Sequence, residues 1–397
     1  MMSTLEGKRV VVLGGSSGIG FGVAGRCDPQ FARVREAFVE NFTKHGERGG
    51  AVTIALDGKP VVDLWGGYAD VARTKMWDEH TIVNVFSVCK ALNATAVLRL
   101  AEQRRIDLDA PIARYWPDFA AKGKDEITVR TMLSHRAGLP ALRDPLPDTA
   151  MLDWSLIVKR IADEEPWWEP GTAHGYHVNT FGFLTGELVR RASGKTIGRF
   201  LRDEVWAPLG ADMHIGAPEH THHRVAEFQW PGSPPKPEFA DDYDLMRWNA
   251  YWNPAGFSGG RWVNTKEWRA AEVPSTNGHG NARSIARVYS AFAAGGTIDG
   301  VTVLSKDMLG EATREHSAGI DLISQRPSRF GLGFQLTQVE RPLGPNPRAF
   351  GHFGAGGSLG FCDPDTGLAF GYVTNDMGPR WQNPRNGGLI KAVYESL

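Results

Sequence analysis

The chain has 397 residues and near-balanced charge, 44 Lys+Arg against 45 Asp+Glu. Its length fits about two domain-sized units at roughly 150 residues each. The balance excludes the clustered basic surface a nucleic-acid binder needs, and 42% hydrophobic against 22% charged residues excludes disorder. No apolar run reaches the roughly 18–20 residues of a membrane span, so no membrane partner is expected. Cys27, Cys89 and Cys362 are too few for a disulfide framework, which points to a cytoplasmic setting. Composition carries nothing on oligomeric state.

The first segment, Gly7 to Ala24, runs from valines into a glycine-rich turn and reads as strand–turn–helix. Gly14, Gly18 and Gly20 resemble the dinucleotide loop of short-chain dehydrogenases. That family also needs a tyrosine with a lysine four residues later, and none of the eight tyrosines has one. No cofactor is therefore expected, and residues 1–26 read as an N-terminal extension. Residues 31–44 follow as an amphipathic helix, with Val34, Phe38 and Phe42 at fourfold spacing. Asp57-Gly58 between two apolar runs, 51–56 and 60–65, signals a hairpin. Residues 87–103 form a helix apolar on nearly every face, hence buried. Helical segments alternate with Pro-, Trp- and Gly-rich loops as far as residue 275. Residues 282–294 form a helix that stops at Gly295-Gly296. Strands return at 333–339, 358–362 and 368–374, and residues 388–397 close as a helix.

Strands thus cluster at both ends. The expected fold class is α+β, an antiparallel sheet flanked by helices, with a mostly helical region inserted. Its parts would be 27–86 with 276–397 for the sheet region, and 87–275 for the helical one.

Three serines sit in Gly-x-Ser-x-Gly: Ser16, Ser258 and Ser358. With 47 glycines in the chain, such matches arise by composition, and none has the strand–serine–helix context of a nucleophile elbow. Ser87-Val-Cys-Lys90 is better placed. It opens the buried helix, so Ser87 and Lys90 share a face, and the helix N-terminus favours developing negative charge. A lysine there must find a partner or lose its proton. Ser87 as a simple cap with an exposed Lys90 is the plain alternative. Cys89 beside Lys90 could be an acidified thiol. His220-Thr-His-His223 lacks a regularly spaced acidic or thiolate ligand, so no metal site is expected. His174 and His177 could line a pocket or brace a loop. Trp65, Trp167, Trp168, Trp248, Trp252 and Trp262 could shape an apolar site or pack the core.

Downstream of Ser87-Val-Cys-Lys90 lie Leu133-Ser-His-Arg-Ala-Gly-Leu-Pro140, Pro170-Gly-Thr-Ala-His-Gly-Tyr176-His-Val-Asn179 and Gly351-His352-Phe353-Gly354. This ordered set resembles the serine β-lactamase and penicillin-binding-protein superfamily, and within it the family VIII carboxylesterases. The resemblance covers residues 28–397. It implies that Ser87 attacks the carbonyl of a small-molecule ester, that Lys90 and Tyr176 share the proton traffic, and that the backbone N–H groups of Ser87 and Ala355 form the oxyanion hole. Which of Lys90 and Tyr176 is the base stays open at this point. Where the β-lactamase pattern is Tyr-x-Asn, this chain has Tyr176-His177-Val178, with Asn179 one residue further on. The third motif, often Lys-Thr-Gly, is here His352-Phe353-Gly354, implied to bind substrate. Losing that lysine removes a fixed cation and favours esters over penicillins. Implied side readings on the same scaffold are weak β-lactam hydrolysis, a D-Ala-D-Ala carboxypeptidase, an acyltransferase or a non-catalytic binding protein.

Overall fold

The computed structural model describes residues 11–12, 22–232, 238–379 and 381–397. Among them, ten strands form one antiparallel sheet. Their spatial order is Val11–Val12, Gly22–Cys27, Lys59–Gly67, Gly49–Leu56, Leu368–Thr374, Leu359–Asp363, Phe350–Phe353, Gln335–Leu336, Pro327–Phe330 and Ser317–Ile320. The two chain ends meet at its centre, where Gly50 faces Thr374 and Leu56 faces Leu368. The expected fold class is the one observed.

Period-two alternation divides the sheet residues between two cores. Val52, Ile54, Phe361, Phe370 and Tyr372 face Phe38 and Phe42 of helix Ala32–Thr43 and Val393 of helix Pro384–Tyr394. Ala51, Ala55, Ala369 and Val373 face the other way, toward helix Ala282–Ala293. That helix sits close because the sheet is small beneath it. A Cβ at Gly360 would strike Tyr289, and one at Gly371 would strike the Ala282 carbonyl. Asp57-Gly58 does turn the Gly49–Leu56/Lys59–Gly67 hairpin, both residues at positive φ.

Between the sheet's two halves lies the helical region. Helix Cys89–Glu102 packs on helix Thr180–Ser193. Every residue from Cys89 to Leu98 is buried, as a helix apolar on all faces requires.

Two expectations differ from what is seen. The strand–turn–helix pattern near the N-terminus is instead a strand pair: Gly22–Cys27 runs antiparallel to Val11–Val12 and to Lys59–Gly67. It covers what would otherwise be the open edge of the hairpin. The residues read as an extension therefore give the sheet a strand from Gly22 onward. Gly14, Ser16, Gly18 and Gly20 lie outside the described residues. The strand expected over 333–339 shrinks to Gln335–Leu336. Gly333 has φ +80° and its missing Cβ lets the backbone ride against Ala94, so the chain is still turning there.

Candidate active site

Ser87 lies in a short 3-10 turn, Phe86–Val88, that leads into helix Cys89–Glu102. Ser87 is the cap of neither element, the N-cap positions being Val85 and Val88. Its Oγ is instead 2.9 Å from Lys90 Nζ, in a hydrogen bond, and Lys90 also donates to the Ser275 carbonyl at 3.2 Å. Phe86, just before the serine, holds φ +50°. Such a conformation costs an aromatic residue on the order of 1–2 kcal/mol and aims the next side chain off the regular helical path.

Lys90 is fully buried, and burial pulls its ammonium well below the ordinary lysine range. Lys90 donates to Ser87 Oγ and to the Ser275 carbonyl, and once it loses its proton the amine can accept from the Ser87 hydroxyl instead. Above it lies Tyr176, whose ring centroid is 4.7 Å from Lys90 Nζ. Burial pushes the Tyr176 phenol well above its usual value, while the Ser87 hydroxyl pulls the other way. The Tyr176 hydroxyl is buried without a hydrogen-bond partner among the described residues. Burial thus holds it as a protonated donor that faces Ser87 across the cavity. Its ring stacks on Phe330 and meets Trp381 edge-on at 4.9 Å.

A cavity of about 330 Å³ opens over Ser87. Tyr176, Phe86, Trp230, Trp252 and Trp381 form much of its wall.

A family model described as Beta-lactamase matches residues 34–395 of this chain. The chain belongs to the beta-lactamase family. Among its relatives is Esterase/beta-lactamase LipL of Mycobacterium tuberculosis, 37% identical over 367 residues, which are 89% of this chain and 83% of that protein. Two solved structures superpose with TM-scores of 0.87, each over 94% of this chain and 100% of its own. One is a family VIII carboxylesterase at 40% identity, the other a penicillin-binding-protein homologue from Caulobacter crescentus at 38%.

Set on that beta-lactamase-family frame, the third motif divides. Ala355 lines the cavity together with Ser87. Gly354 explains how: a Cβ there would collide with the Val85 carbonyl, so only glycine lets this strand end lie against the turn before the serine. The Gly354 N–H donates to the Ser358 carbonyl at 2.7 Å and fixes the loop. His352 is buried on the Lys90 side of the sheet. Its Nδ1 donates to the Phe353 carbonyl at 2.7 Å, which leaves Nε2 a buried acceptor without a partner among the described residues. Burial pushes its pKa well down, so the ring is neutral. Phe353 does not reach the cavity; by strand alternation its ring packs in the opposite core with Phe361 and Leu359.

The other residues singled out in the sequence find structural tasks. Cys89 is no acidified thiol: burial pushes it up to about 12, despite Lys90. Asn179 is buried one layer back. It donates to Ser258 Oγ and the Ala250 carbonyl, and accepts from Thr276, so it braces two cavity-wall residues while Val178 faces the cavity. Ser258 lines the cavity but donates to the Tyr251 carbonyl, and Ser358 is fully buried; among the described residues neither bonds a basic side chain. His177 donates from Nδ1 to Gly175 and accepts from the Leu139 N–H, bracing the tyrosine loop. His174 bonds Ser328 at 2.8 Å. Of the six tryptophans considered, only Trp252 lines the cavity; Trp230, Trp381 and Tyr251, which the sequence did not single out, line it too. His222 bonds the Ala217 carbonyl, and among the described residues no cluster of three or more metal-ligating side chains occurs. Nor is any described helix long and apolar enough to cross a membrane.

Proposed function

We propose that this protein hydrolyses carboxylic esters with short acyl chains through an acyl-enzyme on Ser87. The observation that carries the reading is the Ser87–Lys90 hydrogen bond at the base of an apolar cavity. Ser87 Oγ attacks the ester carbonyl carbon and its proton passes to the neutral Lys90 amine. The oxyanion is held by the Ser87 and Ala355 N–H groups. Collapse breaks the bond to the alcohol oxygen, which takes its proton from the Tyr176 hydroxyl. The Lys90 ammonium restores that proton. Water then attacks the acyl carbon and gives a proton to Lys90, which passes it to Ser87 Oγ as the bond to the acyl group breaks and the acid is released. Lys90 is thus the base and Tyr176 the acid, in keeping with the opposite directions in which burial moves them. A neutral His352 in place of a fixed lysine, together with relatives named as esterases, supports esters over β-lactams. Weak β-lactam hydrolysis is a side activity of the same nucleophile, as the paired name of the mycobacterial relative suggests.

The test is labelling with a serine-reactive phosphonate followed by peptide mass spectrometry. Label on Ser87, with Ser87→Ala abolishing p-nitrophenyl butyrate turnover, is expected. Label on Ser258 or Ser358, or faster nitrocefin than butyrate turnover, would overturn the assignment.

A further inference from the structure

A second cleft, of about 680 Å³, adjoins the catalytic cavity. The two share a wall, because Tyr251 and Trp381 line both. The catalytic cavity is apolar, whereas the cleft carries Arg326, Arg341, Ser324 and Gln382.

Arg329 and Arg385 pair with Glu315 and Asp376. Among the described residues, neither Arg341 nor Arg326 makes an ion pair. Arg341 is half-buried, spends one donor on the Pro327 carbonyl at 3.1 Å, and lies 5.1 Å from the Trp381 ring centroid. A guanidinium has five N–H donors in a planar fork. Drawing such a group partly out of water without a carboxylate leaves its remaining donors poorly compensated.

Two local acids could answer that charge, and neither does so by contact. Asp321 is buried and already accepts from the Ile323 and Ser324 N–H groups at 2.9 and 2.8 Å and from Ser328 at 3.4 Å. Glu340 also lines the cleft but is exposed and bonds neither arginine. What fits the fork beside Trp381 is an anionic group brought by the ligand.

We propose that this cleft receives the carboxylate of an acidic ester, with Arg341 as its principal partner and Arg326 at the exposed side. The proposal rests on the ester-hydrolase reading above and names a substrate class for it. It also returns, from a different strand connection, the cation that is missing at His352.

The experiment compares two matched ester pairs, using the full-length protein. For a carboxylate on the acyl side, mono-4-nitrophenyl glutarate is set against 4-nitrophenyl pentanoate. For the leaving-group side, 4-(butyryloxy)benzoate is set against 4-(butyryloxy)benzamide. We expect kcat/KM to favour the acid in at least one pair, and that pair identifies the half of the ester lying in the cleft. In Arg341→Met the acid-to-neutral ratio should drop about tenfold or more, as loss of charged hydrogen bonds implies. Arg341→Lys, which keeps the charge but not the fork, should retain more of the ratio and serves if the methionine variant fails to fold. No preference in either pair, or a ratio unmoved in both variants, overturns the proposal. Absence of Ser87-dependent turnover on the neutral esters would instead overturn the ester reading.

Discussion

Glu47 offers a quantitative test of how burial sets charge in this fold. It sits just before strand Gly49–Leu56, 4% exposed, accepting from the Tyr372 hydroxyl at 2.5 Å, while its second oxygen has no partner among the described residues. Burial raises its carboxyl from an ordinary 4.5 to about 7, with Arg385 and Tyr372 opposing only in part. The folded chain therefore binds a proton between those values that the unfolded chain has released. The resulting stability is fully present below about pH 4.5 and is lost as pH rises through about 7. Each pH unit is worth about 1.4 kcal/mol, so the loss comes to about 3 kcal/mol. Glu47→Gln removes the titration. Urea melts of both proteins at several pH values from 5 to 8.5 should show the wild-type chain losing stability relative to Glu47→Gln by about that amount across the range. A difference between the two that does not change with pH would refute the reasoning, because a purely steric effect of the amide has no such slope.

Other expectations concern the site. Lys90→Arg, permanently charged, should lower kcat/KM by about 10³-fold or more at every pH tested. In the unmodified enzyme, kcat/KM should fall on the acid side as Lys90 gains its proton, at a pH well below the lysine value of 10.5, because burial lowers it; a profile flat down to pH 4 would count against Lys90 as base. Gly354→Ala drives a methyl into the Val85 carbonyl. It should cost about 1–3 kcal/mol in denaturant melts and lower kcat about 10-fold or more by displacing the Ala355 N–H. Cys89, buried and pushed up to about 12, should resist iodoacetamide in the folded enzyme and react only after denaturation; stoichiometric labelling of the native chain would contradict its placement.

Much of this was legible in the sequence, because the informative segments are periodic. Alternation and an Asp-Gly turn give the hairpin, and an all-apolar stretch gives the buried helix that carries Lys90. The spacing of Ser87 and Lys90 puts them on one face, where they are bonded. What failed to show was long-range. Phe353 looks like a neighbour of the site until strand alternation turns it to the other core. Trp381 and Arg341 lie in loops without period, Tyr251 sits at the end of helix Asp242–Trp252, and nothing local says that they converge on Tyr176. Nor does any residue near Cys89 announce that desolvation outweighs an adjacent lysine. The stretch ending at Ala24 read as entering a helix because the edge-strand role of Gly22–Cys27 is set by the distant Lys59–Gly67.

The meeting of the two chain ends in mid-sheet has a consequence for biosynthesis. Ser87 and its helix leave the ribosome well before Leu368–Thr374 or Ala355 has been made. Throughout that interval the helix that is to be wholly buried has only part of its cover, so the nascent chain depends on protection from aggregation. On the proposed mechanism, a chain arrested before Ala355 carries Ser87 and Lys90 but lacks one of the two oxyanion donors, so no ester turnover is expected of it.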